Sequence, residues 1–438
     1  MINSKYLRYL AIGYLSFLNV NSAAMNVLFV HQNFPGQFVH LAPALAALGH
    51  RVVSLQIQDR GRLPGVQHVI YRPQALQKNQ THPLLSELEI KLLRAEGAWL
   101  AALQLKQQGF TPDLIIAHPA WGESLFLQDV WPKAKLGIYC EFYYQAYGLD
   151  LDFDPEFSAL DVGGGVRMQM KNANTDLHMM RAHAGISPTQ WQASIFPERF
   201  RDRISVIHDG IDTDIIAPNG SAKLTLKKGE RAIELRRDDE VITFVNRNLE
   251  PYRGYHQFMR ALPALLRKRP HAKVVIVGGD ESGYGASPPA NADGQLQTWR
   301  NIFLDEVQDD IDLSRVFFVG RLTRNQLTSL FQISTVHVYL TYPFVLSWSM
   351  LEAMSAGCAI VASDTAPVRE VIEHGETGLL VDFFKPVALA DQVVSLCEDA
   401  SLRKKLSIQA RTSAVERYDL NCKCLPQQIS WVSALNDF

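Results

Sequence analysis

Cysteine is scarce in this sequence of 438 residues, which has only five. Their positions match neither the paired spacing of a zinc site nor a disulfide framework. This pattern is typical of reduced thiols in a protein that folds around a hydrophobic core. A small secreted scaffold held together by disulfides is therefore excluded. The five positions are Cys140, Cys358, Cys397, Cys422 and Cys424.

Long apolar runs and an excess of one charge sign are also missing. No run approaches the roughly 20 apolar residues that a helix needs to cross a bilayer. Lysine and arginine number 43 and aspartate and glutamate number 45, so the net charge is −2. This balance gives no broad positive field for nucleic acid, and we expect no nucleic-acid partner. The 47% of hydrophobic residues predicts a folded globular chain.

Residues 1–24 stand apart from the rest of the chain. Lys5 and Arg8 precede a mostly apolar stretch that ends in small residues, which is the layout of a weak secretory signal. The alternative is that Met25 is the true start, because a strand-like apolar run follows it directly. We favour a spurious N-terminal extension and therefore expect a cytoplasmic protein, with peripheral contact at the inner membrane face left open.

Short apolar runs alternate with helical patterns twice along the chain, beginning at residues 27–30 and again at residues 241–245. Continuous apolar strands between helices indicate parallel sheets that are covered on both faces. The sequence therefore predicts an α/β protein with two Rossmann-like domains that face a cleft. Ligands are expected at the carboxyl ends of the strands.

The predicted boundary between the two domains is the turn-rich stretch at residues 218–221. We place the N-terminal domain at residues 25–217, the C-terminal domain at residues 218–418 and a helical segment at residues 419–438. The many charges between Lys223 and Asp239 predict an exposed region.

Two loops that follow predicted strands carry the residue types that bind phosphate. Arg247 and Arg253 follow the strand at residues 241–245, and guanidinium groups fit phosphate oxygens in pairs. Two solvated surface arginines are the alternative. A helix predicted to begin near Ser349 would offer free N–H groups to an anion, and Glu352 would lie on its first turn. A capping box between Ser349 and Glu352 explains the same residues without a ligand.

The order of these motifs resembles that of glycosyltransferase family 4, whose members have the GT-B architecture of two Rossmann-like domains. The resemblance runs from Met25 to about Tyr418. It rests on the loop from Arg247 to Gly254, on residues 351–357 and on three further segments in the expected order. These segments are residues 206–212, 362–364 and 370–381.

The resemblance implies transfer of a hexose-type sugar from a nucleotide diphosphate donor to a glycan or lipid-linked acceptor. It implies retention at the anomeric carbon, no metal and no other cofactor, in the synthesis of a surface polysaccharide or glycolipid. Arg247 and Arg253 would act on the diphosphate and Glu352 on the ribose. His118 falls where the family has a histidine near the transferred sugar, and a satisfied strand-end histidine is the alternative. The other implied donor-binding residues are Gly36, Asn246, Gly320, Arg321, Leu322, Leu346, Ser347 and Trp348.

The sequence departs from the family at two positions. Arg253 stands where the family usually has lysine, so the charge is kept but the geometry differs. Phe344 stands eight residues before Glu352, where the family has a glutamate, and a phenyl ring accepts no hydrogen bond from a sugar hydroxyl. Phe344 motivates one rival function, a non-catalytic protein that binds a sugar nucleotide or glycan. A second rival is a nucleotide-sugar epimerase, which would have the same fold.

Four further segments have competing interpretations. Residues 150–156 contain Asp-x-Asp twice, as some metal sites do, but Pro155 stands where a calcium loop has glycine, which favours a solvated acidic loop. The aromatic residues at 139–147 either contact acceptor sugars or pack within the protein.

The glycine-rich loop that begins at Gly278 is predicted to be mobile. A basic and apolar patch near Phe200 either touches an anionic membrane or is a solvated face. Its members are Phe196, Arg199, Phe200, Arg201 and Arg203.

Overall fold

The computed structural model describes residues 23–75, 81–158, 163–228, 231–291 and 293–438. Almost all of the predicted N-terminal extension, residues 1–22, lies outside the described residues. The chain forms two compact units. The N unit contains residues up to 144, residues 163–209 and residues 424–438, and the C unit contains residues 145–162 and 210–423.

The N unit is built on a sheet of seven parallel strands in the order β3-β2-β1-β4-β5-β6-β7. The interior strand β1 pairs with β2 and β4, and its residues from Val27 to Val30 are fully buried. This burial on both faces explains why the strand is a continuous apolar run rather than an alternating one. The strands are β1 (Asn26–Val30), β2 (Arg51–Gln56), β3 (Val66–Ile70), β4 (Leu114–Ala117), β5 (Lys135–Tyr139), β6 (Ala184–Ser187) and β7 (Ile204–Val206).

The C unit repeats this plan with six parallel strands in the order β12-β11-β10-β13-β14-β15. Its first parallel strand, β10, pairs with both β11 and β13, so the strand order reverses there. In open parallel sheets this switch point is where ligands bind, at the carboxyl ends of the strands. The strands are β10 (Val241–Asn248), β11 (Lys273–Gly279), β12 (Val316–Phe318), β13 (Val336–Tyr339), β14 (Ala359–Ser363) and β15 (Leu379–Val381).

Helices connect the parallel strands in both units, which confirms the predicted fold class of two Rossmann-like α/β domains. None of the described helices is both long enough and apolar enough to cross a membrane. The helices are α1 (Leu41–Ala47), α2 (Ser86–Gln107), α3 (Leu127–Val130), α4 (Gly164–Arg181), α5 (Gln190–Ser194), α6 (Glu198–Arg201), α7 (Tyr255–Lys268), α8 (Trp299–Asp305), α9 (Arg324–Ile333), α10 (Trp348–Ser355), α11 (Ala366–Arg369), α12 (Pro386–Glu398), α13 (Ala400–Tyr418) and α14 (Leu425–Asn436).

The sequence predicted that the charged region after residue 222 is exposed, but this region is only partly exposed. It forms an antiparallel hairpin of β8 (Lys223–Lys228) and β9 (Arg231–Arg236). Leu224, Leu226 and Leu235 are buried in the core of the C unit. The polar residues alternate with these leucines, and successive side chains of a strand point to opposite faces. Lys223, Glu234 and Arg236 therefore lie on the face opposite to these leucines.

The two units also divide the chain differently from the predicted domains. Residues 145–158 belong to the C unit, where the ring of Phe153 lies 5.0 Å from that of Tyr342. Helix α14 belongs to the N unit, where Trp431 and Leu435 occupy the space beside Gly137 that a β-carbon would need. Both differences from the predicted domains depend on packing between residues that are distant in sequence. A search for linker-like sequence does not detect such packing.

Candidate functional site

Arg247 lies at the carboxyl end of β10, where pairing with β11 becomes irregular between Val245 and Asn248. Asn246 and Asn248 are buried on either side of it, whereas Arg247 is exposed. Within the described part of the chain, no hydrogen bond or ion pair of the Arg247 guanidinium is found. A permanently charged group is thus presented at the switch point of the sheet.

Arg253, by contrast, is only 7% exposed, so for this residue the alternative of a solvated surface arginine is wrong. Its Nη1 donates to Thr341 Oγ1 at 2.9 Å and to the carbonyl of Val345 at 2.8 Å. It thereby fastens the loop after β10 to the segment after β13. A guanidinium has five N–H donors, so these two bonds leave further donors for a ligand.

Aromatic rings surround Arg253. Its guanidinium carbon lies 5.5 Å from the centre of the Tyr284 ring and 5.6 Å from that of Phe344. Phe344 is 4% exposed and packs edge-on against Tyr284 at 4.8 Å and Tyr252 at 5.5 Å. Phe344 therefore contributes to a packed wall and a cation–π contact, instead of presenting a hydrogen-bonding group.

Glu250 anchors the start of the glycine-rich loop that the sequence predicted to be mobile. Its Oε2 accepts hydrogen bonds from the amides of Gly283 at 2.9 Å and Tyr284 at 2.7 Å. The carboxyl group is almost completely buried, and this burial raises its pKa. By holding the backbone of Tyr284, Glu250 keeps the aromatic ring in place beside Arg253.

Gly254 follows Arg253 with φ +67°, and a β-carbon there would overlap the side chain of Leu340. We expect Gly254→Ala to lower the free energy of unfolding by about 2 kcal/mol, because the variant combines a left-handed backbone with overpacking. Urea titration would measure this loss. Gly220→Ala is the control, because no atom lies within 4 Å of its β-carbon position. Equal stability of the two variants would contradict the described packing at Gly254.

Helix α10 begins one residue earlier than predicted, and the alternative of a capping box between Ser349 and Glu352 is wrong. Ser347 is the N-cap, and its Oγ accepts from the amide of Ser349 at 3.4 Å. Glu352 consequently lies in the second turn of the helix, not the first, and one of its oxygens is 3.1 Å from Arg324 Nη2. Burial raises the pKa of Glu352, and Arg324 opposes this shift.

One of the backbone amides that were predicted to bind phosphate, between Leu346 and Trp348, already donates a hydrogen bond within the C unit. The amide of Ser347 donates to Tyr339 Oη at 2.9 Å, and Leu346 is buried beside it in the core of the C unit. Trp348, the first residue of α10, packs against the same core. The arginines are therefore the stronger candidates for binding a diphosphate here.

The residues predicted to hold the base follow β12. Gly320 has φ +62°, a conformation that glycine adopts readily. Arg321 Nη2 donates to Asn248 Oδ1 at 3.0 Å and to Glu281 Oε2 at 2.5 Å, and Leu322 packs against the core. The structure thus joins the loop after β12 to the end of β10.

The predicted site residues of the N unit, Gly36 and His118, belong to one polar cluster. Gly36 has φ +48°, and a β-carbon there would overlap the ring of His31. His118 is 1% exposed, stacks on Tyr139 at 5.4 Å and lies 3.3 Å from Glu141. Sequence analysis missed His31 and Glu141 as candidates, although His31 directly follows β1 and Glu141 lies two residues after the end of β5.

The acidic loop is only partly solvated, which corrects the prediction for residues 150–156. Asp154 is 3% exposed, accepts from Tyr342 Oη at 2.8 Å and lies 3.0 Å from His256 Nε2. Ligand atoms of Asp154, Glu156 and His256 lie within 4.8 Å of one another, as metal ligands would. Glu156 is bound by both Nη atoms of Arg260, so the loop forms a network of hydrogen bonds and ion pairs.

The basic patch and the aromatic run are largely structural. Phe196 and Phe200 are buried, so the predicted apolar surface for a membrane does not exist. Arg199 pairs with Asp176 at 2.8 Å, while Arg201 and Arg203 donate to backbone carbonyls. In the aromatic run, the hydroxyls of Tyr139 and Tyr143 bond to Asp209 and Asp176, whereas Tyr147 is exposed.

Two parallel sheets with the Rossmann strand order, one of them with two arginines at its switch point, define the class of Rossmann-like α/β proteins. Two family models extend this assignment. Residues 48–216 match the glycosyl transferase family 4 group, and residues 227–413 match glycosyl transferases group 1. The chain belongs to glycosyltransferase family 4 and has the GT-B fold, which confirms the resemblance seen in the sequence.

Individual relatives are distant. The D-inositol 3-phosphate glycosyltransferase of Corynebacterium efficiens is 26% identical over 210 residues, which are 48% of this chain and 46% of the relative. The phosphatidyl-myo-inositol mannosyltransferase of Mycobacterium tuberculosis is 27% identical over 46% of this chain and 49% of its own length. The chain thus matches about half the length of these curated relatives.

Solved structures share the fold over nearly the whole chain. The Anabaena Alr3699/HepE structure in complex with UDP and glucose superimposes with a TM-score of 0.64 and 16% identity, over 94% of this chain and 100% of that one. The sucrose-phosphate synthase of Thermosynechococcus elongatus has a TM-score of 0.70 and 15% identity, with the same coverage. At this level of identity, the similarity shows the fold alone.

Proposed function

We propose that this protein is a glycosyltransferase that moves a hexose-type sugar from a nucleotide diphosphate donor to a glycan or lipid-linked acceptor. The transfer retains the configuration of the anomeric carbon and serves the synthesis of a surface polysaccharide or glycolipid. We also propose that the reaction needs no metal. We also propose a cytoplasmic location.

The observation that carries the proposal is the pair Arg247 and Arg253 at the carboxyl end of β10. A diphosphate at the switch point would meet the exposed Arg247 and the remaining donors of Arg253. As the bond between sugar and phosphate breaks, negative charge grows on the leaving diphosphate. Guanidinium groups that contact these oxygens lower the energy of that transition state.

The nucleoside would lie along the same edge of the C unit. Glu352 would accept from the ribose hydroxyls, with Gly320, Arg321, Leu322 and Asn246 beside the base and phosphates. The ligands and names of similar proteins support the assignment of a nucleotide sugar as donor. One similar structure holds UDP and glucose, and two curated relatives are named as transferases that act on inositol derivatives.

Thermal shift against UDP-, GDP- and ADP-sugars, each with and without EDTA, tests the donor class. We expect one nucleotide class to raise the melting temperature, because a ligand at 100 times its Kd stabilises the folded state by about 2.7 kcal/mol. EDTA should leave this shift unchanged. No shift with any nucleotide sugar would contradict the proposal, and a shift abolished by EDTA would contradict its metal independence.

Product analysis then separates transfer from the rival functions. NMR of the product should show a new glycosidic bond with the anomeric configuration of the donor. Release of an altered sugar nucleotide without an acceptor would identify an epimerase. Binding without cleavage of the sugar–phosphate bond would identify a non-catalytic relative, the rival suggested by Phe344.

A further inference from the structure

A cavity of about 1020 Å³ lies in the C unit, at the edge of the sheet opposite to the one that carries Arg247. Residues that come just before β10, β13 and β14 line one side of it, among them Glu240, Thr335 and Gly357. Helix α13 lines the other side. A cavity of this size accommodates a small organic ligand, and the proposed transfer reaction does not use it.

The wall formed by α13 presents cations and hydroxyl groups to the cavity. Residues three or four positions apart lie on one face of a helix, and the lining residues of α13 follow this spacing. They are Ala400, Arg403, Lys404, Ser407, Ile408, Arg411, Thr412, Val415 and Glu416. Lys404 is exposed, and no hydrogen bond or ion pair of its ammonium group is found among the residues that the structure describes. Its charge is therefore available to a ligand.

Two arginines of the cavity are fixed at the ends of helices. Arg403 Nη1 donates to the carbonyls of Leu396 at 2.6 Å and Cys397 at 3.0 Å, in the last turn of α12. Arg237 Nη1 donates to the carbonyl of Gln332 at 2.9 Å, in the last turn of α9. Helix C-termini carry partial negative charge, which explains why the guanidinium groups lie there. Each bond holds one end of a guanidinium and leaves the other end unbound.

A third arginine is held in the same way. Arg411 Nη1 donates to the carbonyl of Ser355, the last residue of α10, and its Nη2 donates to the carbonyl of Thr213 at 3.3 Å. A guanidinium has five N–H donors. Within the described residues, the Nε and Nη2 atoms of Arg237 and Arg403 form no hydrogen bond. These donors are preorganised for a ligand, because an anchored side chain loses little conformational freedom on binding.

Two of the acidic residues that line the cavity are neutralised by cations outside it. Asp239 is paired with Lys273 at 2.6 Å, and Glu240 is paired with Arg269 at 2.5 Å. Lys273 and Arg269 both lie outside the cavity lining. The carboxylates of Asp239 and Glu240 therefore do not cancel the positive charges of the cavity.

The remaining charged groups leave an excess of positive charge. Among the described lining residues, two carboxylates, Asp238 and Glu416, stand against three arginines and Lys404. The formal excess is thus two positive charges. Free N–H donors and this excess together favour an anion with several acceptor oxygens.

We infer that this cavity binds an organic phosphate, at a second site that is separate from the proposed donor site. Phosphate oxygens match guanidinium donors in pairs. Pro218, Ile408 and Val415 also line the cavity, and Ile408 is 57% exposed, so the carbon skeleton of the ligand has apolar side chains to contact. The inference is independent of the proposed function, because its residues lie at the other edge of the sheet.

Calorimetry with the full-length protein tests the inference, with glycerol 3-phosphate as the soluble probe. We expect binding to the parent protein, and about tenfold weaker binding to Arg403→Gln, which loses a charged hydrogen-bond donor. Lys404→Gln removes a charge that fixes no helix end, so it tests the site without disturbing the fold, and binding should weaken about threefold. Lys405→Gln is the matched control, because this neighbouring lysine bonds to Glu376 and lies outside the cavity lining.

The location of the bound phosphate is tested in the same titrations. Arg247→Ala should bind glycerol 3-phosphate like the parent protein, whereas a loss confined to Arg247→Ala would place the phosphate at the donor site and overturn the inference. Equal weakening by Lys404→Gln and Lys405→Gln would show general charge attraction and would also overturn it.

A second probe, phosphatidylcholine vesicles that contain phosphatidic acid, distinguishes the two sources of a phosphate monoester. Binding of the soluble probe that depends on Lys404 assigns the site to a free metabolite. Binding of the vesicles alone, with the same dependence on Lys404, assigns it to a lipid headgroup. Binding of neither probe by the parent protein would refute the site.

Discussion

Arg247→Ala is expected to reduce sugar transfer about 10²–10³-fold, equivalent to roughly 3–4 kcal/mol of transition-state stabilisation. The reason is that Arg247 presents its charge at the switch point of the C-unit sheet without a hydrogen bond or ion pair to another described residue. Its positive charge is therefore available to the leaving diphosphate. Steady-state kinetics with the donor identified by thermal shift would measure the loss in kcat and KM separately.

The fold should tolerate this change, because the Arg247 side chain is exposed. Arg267→Ala removes an equally exposed arginine from the last turn of α7 and should leave transfer unaffected. Arg247→Lys should recover only part of the activity, because an ammonium group cannot match the paired geometry of a guanidinium. Full activity in a folded Arg247→Ala protein would remove this residue from the mechanism.

Asp154→Ala is expected to lower the free energy of unfolding by about 3–4 kcal/mol. Asp154 is buried, and its carboxylate meets both Tyr342 Oη and His256 Nε2. Removing one member of a buried polar pair leaves its partners without compensation, which costs more than the pair contributes when intact. Urea titration followed by tryptophan fluorescence would measure the difference.

The same network predicts how stability depends on pH. Burial raises the pKa of Asp154, but hydrogen bonds from His256 and Tyr342 outweigh burial and hold the pKa below its ordinary value. A carboxyl group with a lowered folded-state pKa stabilises the fold above its unfolded pKa of about 3.9, and this stabilisation is lost as the pH falls through the folded value. The free energies of unfolding of the parent protein and of Asp154→Ala should therefore differ most near neutral pH and become similar below about pH 4.

Asp152→Ala is the control from the same loop. Asp152 is half-buried and accepts a hydrogen bond from the amide of Gly148, so its loss should cost less than about 1 kcal/mol. If Asp154→Ala were as stable as Asp152→Ala, the acidic loop would be solvated, as its sequence alone had suggested.

The contrast between Arg247 and Asp154 shows how far sequence reasoning reaches. Both are charged residues in loops or at strand ends, and the sequence gives each a local context. Arg247 directly follows a recognisable apolar strand, so its position at the sheet edge was predictable. Asp154 is buried only because Tyr342, 188 positions further along the chain, and His256 fold against it.

The sequence by itself determined the two parallel sheets, the order of the motifs and the position of Arg247, because the spacing of apolar residues encodes local elements and their buried faces. Only the tertiary structure decided that Arg253 and Phe344 pack within one aromatic cluster, that α14 belongs to the N unit and that His118 lies beside Glu141. The physical reason is that each of these features depends on a partner distant in sequence. Local periodicity specifies that a side chain is buried, but not which side chain it meets.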